Sequence, residues 1–285
     1  MNREKRLISS YSAVILLSIF LLPHGRAIGE TLQVNGFEMY YETIGQGEPL
    51  ILLHGFLQSG DTWNSVSGDF AEHFQVIIPD LRGHGASTNP DESFIAIRQL
   101  ALDTYALLDH LGIDTVKAMG ISMGGETLLH MATQQPDRIE AMVLIGTANY
   151  WPYSAREIMR NTDPYNMPEE RMRELRKVHK HGDEQIISLM EGDRLAADDY
   201  DDMNFTSPYL STIRAETLIV HGERDRRFPI NIAVEMYKAI PESFLWIVPN
   251  GGHVPIFGSN QEYFVNTAKS LLLGEMVQRR DKTID

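Results

Sequence analysis

The regular alternation of short apolar runs with amphipathic stretches constrains this chain most. The apolar runs have the length of buried strands and lie at residues 50–53, 75–78, 116–119, 142–145, 217–220 and 244–248. The stretches between or after them have helical spacing and lie at residues 94–111, 124–135, 231–239 and 261–273. Continuous apolar strands separated by helices predict an α/β protein with a mostly parallel sheet covered on both faces.

An antiparallel hairpin is predicted at the N-terminal edge of this sheet. Residues 31–34 and 37–42 flank Asn35-Gly36. This dipeptide is the strongest short signal for a two-residue hairpin turn, because both positions need positive φ.

One interval is too long for a simple crossover between parallel strands. Residues 147–215 separate two predicted strands, whereas such a connection needs about a dozen residues. Helical patterns occur at 168–180 and 183–190, and a structureless loop of this length is uncommon inside a compact domain. We therefore predict a helical cap at 147–215, inserted into a core made of residues 30–146 and 216–285.

The first 29 residues are predicted to be a signal peptide. A mainly basic segment at 2–6 precedes an apolar run at 7–22, and small residues at Ala27 and Gly29 suit a cleavage site. This layout predicts export to the periplasm or the exterior, with no stable membrane insertion after cleavage. The alternative is an uncleaved N-terminal anchor, although a spanning helix needs about 20 apolar residues.

Composition excludes several classes of protein and site. The chain has no cysteine, which rules out disulfides and thiolate metal ligands. Its 25 basic and 39 acidic residues give a net charge of −14, which argues against a broad nucleic-acid-binding face. No histidine spacing typical of a metal site is present, so neither a metal nor another cofactor is predicted.

Residues 120–124 read Gly-Ile-Ser-Met-Gly and follow a predicted strand directly before a predicted helix. A chain that turns sharply from strand to helix forces the middle residue into a strained conformation and leaves room only for small neighbours. The hydroxyl of Ser122 then lies at a helix N-terminus, where developing negative charge is stabilised. Ser122 is therefore the candidate nucleophile.

A serine nucleophile needs a base, and the base needs an acid that orients it. His253 follows the predicted strand at 244–248 and is the candidate base. Asp225 follows the strand at 217–220 and is the candidate acid, with Glu223 as the closest competitor. This order along the chain, serine then acid then histidine, is the order that the strand–serine–helix turn predicts.

Two backbone N–H groups are candidates for stabilising an oxyanion. One belongs to Met123, directly after the candidate nucleophile. The other belongs to Phe56, in the turn after the strand at 50–53, where Gly55 allows the backbone to approach the site.

These segments together resemble the α/β-hydrolase superfamily, in its capped, lipase- and esterase-like branch. The matching pieces lie in family order at residues 53–56, 80–87, 120–125, 221–225 and 251–253. The resemblance implies an α/β-hydrolase fold, a Ser122–His253–Asp225 triad and an oxyanion hole from Phe56 and Met123. Haloalkane dehalogenases and soluble epoxide hydrolases of this fold attack with aspartate, so Ser122 favours acyl chemistry.

The predicted activity is hydrolysis of a small-molecule carboxylic ester or related acyl compound through an acyl-enzyme. The alternatives are carbon–carbon bond hydrolysis or cofactor-free perhydrolysis on the same triad, and a non-catalytic ligand-binding role. The acidic run at 198–202 is predicted to be solvated surface. The aromatic and methionine side chains of the cap either line a pocket for an apolar acyl or ring group or pack the cap onto the core. They are Trp151, Tyr153, Tyr165, Tyr200, Phe205, Tyr209, Met159, Met167, Met172, Met190 and Met203.

Overall fold

The structure is a computed structural model, and it describes residues 28–90 and 95–276. The predicted signal peptide lies outside the described residues, apart from Ile28 and Gly29, which begin a strand. The strands of the described part are β1 (Ile28–Val34), β2 (Phe37–Ile44), β3 (Glu48–Leu53), β4 (Phe74–Pro79), β5 (Val116–Ile121), β6 (Ile139–Ile145), β7 (Glu216–Gly222) and β8 (Ser243–Val248). Its α-helices are α1 (Ser67–Ala71), α2 (Ile97–His110), α3 (Met123–Gln134), α4 (Tyr153–Arg160), α5 (Glu169–Val178), α6 (Asp183–Ala196), α7 (Ser207–Leu210), α8 (Ile230–Ala239) and α9 (Gln261–Leu272).

The described strands form one sheet in the order β1-β2-β4-β3-β5-β6-β7-β8. The pairs β1–β2 and β2–β4 are antiparallel, and every later pair is parallel. The predicted mostly parallel sheet with an antiparallel N-terminal hairpin is confirmed. Strand β3 pairs with β4 on one side and with β5 on the other. The connections that follow β3 and β4 therefore run in opposite directions across the sheet. Open α/β sheets bind ligands at the carboxyl ends of strands at such a point.

The hairpin turn has the geometry that its sequence demands. Asn35 and Gly36 both have positive φ, at 44° and 83°. Val34 pairs with Phe37 across the turn, so the connection has two residues. The left-handed conformation is accessible to asparagine and glycine at low steric cost, which fixes the register of β1 on β2.

Both faces of the sheet are buried. Ile51 and Leu53 point into a cluster that includes side chains of α2, α3 and α8. Leu50 and Leu52 point the opposite way, into a cluster with α1 and α9. Because successive side chains of a strand alternate between faces, a strand segment covered on both sides must be apolar at every position, and residues 50–53 of β3 show this pattern.

The interval predicted to be a cap contains helices α4 to α7, between the paired strands β6 and β7. Residues near the start of α6 bind the core loop that follows β4. Gln185 Nε2 donates to the carbonyls of Gly83 and Gly85 at 2.9 and 3.1 Å, and His179 Nδ1 accepts from the Gly85 N–H at 3.1 Å. These bonds hold the interval over the carboxyl ends of the strands. Within the described residues, no helix combines the length and apolar character needed to cross a bilayer.

The acidic run at 198–202 is only partly solvated, which corrects the expectation for its last residue. Asp202 is buried, and its carboxylate accepts hydrogen bonds from the backbone N–H groups of Ile97 and Arg98. These donors begin α2, whose own N-cap residue, Ala96, has no side chain that could accept them. Asp202, which belongs to the interval 147–215, therefore provides the N-terminal capping group of the core helix α2.

Replacing Asp202 with alanine is expected to lower the free energy of unfolding by about 1–2 kcal/mol, because α2 loses its capping acceptor. Urea unfolding at neutral pH measures the effect. The exposed neighbour Asp201 serves as the control, and Asp201→Ala is expected to change stability by less than about 0.5 kcal/mol. Equal losses in both variants would contradict a capping role.

Candidate active site

The turn between β5 and α3 places Ser122 in a strained backbone conformation. β5 ends at Ile121 and α3 begins at Met123, and Ser122 between them has φ 50° and ψ −115°. A non-glycine residue with positive φ is uncommon and persists where surrounding packing over-determines it. That packing is visible at two glycines: a Cβ on Gly120 would overlap the backbone of Gly124, and one on Gly124 would overlap the backbone of β3.

Gly120→Ala is expected to lower the free energy of unfolding by about 2–3 kcal/mol, since its Cβ would collide with backbone that cannot move aside. Gly68→Ala is the matched control, because Gly68 lies in helix α1 with no neighbouring atom near its added Cβ. That change is expected to be neutral or stabilising by up to about 1 kcal/mol. Chemical denaturation of both variants gives the comparison, and a small loss at Gly120 would refute the steric argument.

The structure brings Ser122, His253 and Asp225 into one hydrogen-bonded chain. His253 Nε2 lies 2.9 Å from Ser122 Oγ, and His253 Nδ1 lies 2.7 Å from Asp225 Oδ2. An ionised carboxylate can only accept, so Nδ1 carries the proton and Nε2 is free to accept from the serine hydroxyl. The three residues follow β5, β7 and β8, and β6 lies between β5 and β7 in the sheet.

Asp225 is held in place by hydrogen bonds to both carboxylate oxygens. Its side chain is fully buried, and Oδ1 accepts from the N–H groups of Arg227 and Phe228 at 2.8 and 3.1 Å. Burial opposes its ionisation, but the hydrogen bonds from His253 and from these two N–H groups outweigh burial and lower the pKa of Asp225. The carboxylate is therefore ionised where it meets the histidine.

The competing acid, Glu223, lies elsewhere in the same loop. Its carboxylate accepts from the backbone N–H of Asn250 at 2.9 Å and is exposed. It therefore ties together the two loops that carry Asp225 and His253, without touching the histidine ring.

The two N–H groups predicted to face an oxyanion have no hydrogen-bond acceptor within the described part of the chain. Met123 N–H begins α3, so it lacks an intrahelical partner. Phe56 N–H lies in the turn after β3, next to Leu57, which has φ 55°. A leucine in this region is strained, and such strain concentrates at functional loops.

His54 holds the turn that carries Phe56. Its Nε2 accepts from the Leu81 N–H at 3.0 Å, and its Nδ1 lies 2.8 Å from the Gly55 carbonyl, to which it donates. Complete burial lowers the pKa of His54 to about 4, so the ring is neutral and keeps one donor and one acceptor. The sequence pattern did not distinguish this positioning role from an ordinary turn.

A mostly apolar pocket opens beside Ser122 and encloses about 620 Å³, its open mouth included. Apolar side chains from the core and the cap line it: Phe56, Ile95, Ile97, Leu100, Met123, Trp151, Leu189 and Ala196. Among the aromatic and methionine residues of the cap, only Trp151 belongs to the described lining. Tyr153, Tyr165 and Tyr200 are exposed, whereas Met159 and Met203 pack in the core.

Three charged residues also line this pocket, and the sequence analysis missed them: Glu126, Asp193 and Arg227. Glu126 lies one helical turn after Ser122 on α3, so the two share a helix face. That spacing was the signal in the sequence that could have identified Glu126. Asp193 on the cap could not be placed without the tertiary structure. Among the described residues, no group of three or more His, Asp or Glu side chains is arranged to hold a metal ion.

Comparison with known proteins agrees with the fold. The sequence profile of the alpha/beta hydrolase fold matches residues 48–192, just over half of the chain. This chain belongs to the α/β-hydrolase family. The match covers the segments around Phe56 and Ser122, as well as part of the cap interval. The predicted family is thereby confirmed, and the chain is a hydrolase.

Individual relatives of this α/β hydrolase differ in the reactions that their names state. A soluble epoxide hydrolase from Corynebacterium sp. (strain C12) is 41% identical over 112 residues, 39% of each chain. A 2-hydroxy-6-oxo-6-(2'-aminophenyl)hexa-2,4-dienoic acid hydrolase from Metapseudomonas resinovorans is 26% identical over 262 residues, covering 85% of this chain and 89% of the relative. Among solved structures, a meta-cleavage product hydrolase from Pseudomonas fluorescens IP01 superimposes with a TM-score of 0.72 at 20% identity, covering 87% and 99% of the two chains.

Proposed function

We propose that this α/β hydrolase is a serine hydrolase that cleaves carboxylic esters or related acyl compounds of small molecules. The observation that carries the proposal is the continuous hydrogen-bonded chain Ser122–His253–Asp225 at the mouth of an apolar pocket. A serine that donates to a histidine, which in turn donates to a buried carboxylate, is the arrangement that activates a hydroxyl for attack on a carbonyl.

The proposed reaction has two halves. His253 Nε2 takes the proton of Ser122 as Oγ attacks the ester carbonyl, and then gives that proton to the leaving alcohol, which yields an acyl-enzyme. Water, deprotonated by the same histidine, then attacks the acyl-enzyme and releases the acid. Asp225 holds the tautomer of His253 and stabilises the imidazolium that forms in each half.

The oxyanion of each tetrahedral intermediate would be stabilised by the N–H groups of Phe56 and Met123. Both are free of other acceptors in the described residues, and Met123 adds the positive end of the α3 dipole. His54 would keep the first of these donors in place through its bond to the Gly55 carbonyl.

Carbon–carbon bond hydrolysis is the second candidate, and the near full-length similarity to a dienoic acid hydrolase favours it. A dienoic acid carries a carboxylate, however, and the guanidinium of Arg227 in the pocket already lies 3.6 Å from the carboxylate of Asp193, beside the carboxyl of Glu126. This charge balance supports the ester reaction over the dienoate reaction. Attack by an aspartate, the chemistry that the family resemblance assigns to epoxide hydrolases, has no group to perform it, because Ser122 occupies that position.

A fluorophosphonate probe tests the proposal directly, since it labels only an activated serine. Labelling is expected in the parent chain and is expected to be lost in His253→Ala. A panel of p-nitrophenyl esters and lactones, run beside a 2-hydroxy-6-oxo-dienoate, then separates acyl from carbon–carbon chemistry. Absence of labelling would indicate a ligand-binding member, and turnover of the dienoate alone would favour the second candidate.

We also propose that the chain is exported, with residues 1–29 as its signal peptide. Cleavage after Gly29 would remove the first two residues of the edge strand β1 and retain its pairs from Glu30↔Tyr41 to Val34↔Phe37. N-terminal sequencing of the mature protein tests this. An intact Met1 would instead indicate the uncleaved anchor.

A further inference from the structure

Glu126 is a buried carboxyl group in a pocket that is otherwise mostly apolar. It is only 3% exposed, and its Oε1 accepts from Trp151 Nε1 at 3.1 Å. Within residues 28–90 and 95–276, this is the only hydrogen bond of the Glu126 side chain, so Oε2 accepts from no described residue. A mostly buried carboxyl with a spare oxygen costs free energy, which is offset when that oxygen meets water or a ligand or when the group takes up a proton.

Two further charged groups reach the same pocket from different elements. Asp193 lies on α6, and its carboxylate is 3.6 Å from the guanidinium of Arg227. Arg227 follows Asp225 in the loop after β7, and its backbone N–H donates to that acid. The cluster therefore joins α3, the cap and the loop of the proposed triad around the space beside Ser122.

The charges of this cluster do not suit an anion. The negative charge of Asp193 neutralises the positive charge of Arg227. The net charge of the cluster is therefore zero when Glu126 is protonated and minus one when Glu126 is ionised. Burial raises the pKa of Glu126 to about 8. The charge of Arg227 and the hydrogen bond from Trp151 act to lower this pKa, whereas the charges of Asp202 and Asp193 act to raise it. Burial likewise raises the pKa of Asp193 to about 6. His84, also in the lining, stays neutral because burial lowers its pKa well below the usual range.

We propose that Glu126, Asp193 and Arg227 form a charge-selective subsite that accepts a neutral or cationic arm of an ester substrate and rejects a carboxylate-bearing arm. The inference rests on the proposed ester hydrolysis and names its substrate class. The spare oxygens of Glu126 and Asp193 would accept from hydroxyl or amine donors, while the surrounding apolar wall holds the rest of the arm. An anion in the same space would lie against these carboxyls in a poorly screened environment.

The test compares matched substrates that differ in one charge. p-Nitrophenyl hexanoate and mono-p-nitrophenyl adipate place the charge on the acyl arm, and phenyl acetate and 4-carboxyphenyl acetate place it on the alcohol arm. The readout is the ratio of kcat/KM for the neutral and anionic members at pH 6.5 and 8.5, because any effect of pH that the two substrates share cancels in that ratio. In the parent chain, kcat/KM is expected to be higher for the neutral ester than for the anionic one. The ratio of the two values is expected to be larger at pH 8.5 than at pH 6.5 in at least one pair.

Glu126→Gln keeps the acceptor for Trp151 and removes the charge. It is expected to abolish the rise of the ratio with pH and to lower the ratio at pH 8.5 by about tenfold. Asp193→Asn frees Arg227 and is expected to lower the ratio about tenfold at pH 6.5 as well. Asp137→Asn removes an equal charge at the exposed amino end of β6 and is the control, with no expected change.

Unchanged ratios in both Glu126→Gln and Asp193→Asn, with neutral-ester turnover still measurable, would overturn the subsite and leave the proposed ester activity standing. A parent chain that prefers the anionic esters would overturn it as well, and would assign Arg227 as a carboxylate-binding group. Absence of Ser122-dependent turnover of every ester would instead reject the proposed function, and the subsite with it.

Discussion

Replacing Ser122 with alanine is expected to lower kcat/KM for short-chain p-nitrophenyl esters by about 10⁴-fold or more, because no other group can form the acyl-enzyme. The stability should not fall, since the serine side chain makes no hydrogen bond within the described residues other than the one to His253. Steady-state release of p-nitrophenol measures the loss. Electrospray mass spectrometry of the parent chain during turnover should also reveal the added acyl group, and the alanine variant should lack it.

Ser211→Ala is a suitable control for that experiment. Ser211 is an exposed serine in the cap interval whose hydroxyl donates to the Pro208 carbonyl, away from the pocket. Its activity is expected to stay within about twofold of the parent. Residual ester turnover above about one tenth of the parent in Ser122→Ala would remove Ser122 from the role of nucleophile.

Asp225→Asn is expected to lower kcat/KM by about 10³- to 10⁴-fold while it preserves the fold. The amide oxygen can still accept from the N–H groups of Arg227 and Phe228, so the loop keeps its bonds. The amide nitrogen would then face His253 Nδ1 as a donor. The ring would place its proton on Nε2, where it could no longer accept from Ser122.

Glu223→Gln makes the same change of charge in the same loop and separates orientation of the histidine from general electrostatics. Glu223 touches the Asn250 backbone and not the histidine, and glutamine keeps the accepting oxygen. Its kcat/KM is expected to stay within about threefold of the parent. Comparable losses of kcat/KM in the two variants would mean that Asp225 has no specific role in orienting His253. A larger loss in Glu223→Gln would assign Glu223 as the acid of the triad instead. Kinetics at one pH near neutrality are sufficient.

Most of the fold could be predicted because its signals are local. Each parallel strand reads as an apolar run, and Asn35-Gly36 specifies its turn through the φ values that asparagine and glycine tolerate. The helices that escaped prediction are short, as with α4 (Tyr153–Arg160) and α7 (Ser207–Leu210). A helix of few turns owes its stability mainly to tertiary packing, so its existence cannot be inferred from its own residues alone.

The sequence by itself determined the sheet, its hairpin and the candidate residues Ser122, Asp225 and His253, because strand ends and the order of motifs along the chain reveal them. Only the tertiary structure decided which loop carboxylate meets the histidine, how Asp202 comes to cap α2, and that Glu126, Asp193 and Arg227 share one pocket. Such contacts join residues far apart in the chain. Their partners follow from how the cap sits on the sheet, and periodicity within a single element carries no information about that placement.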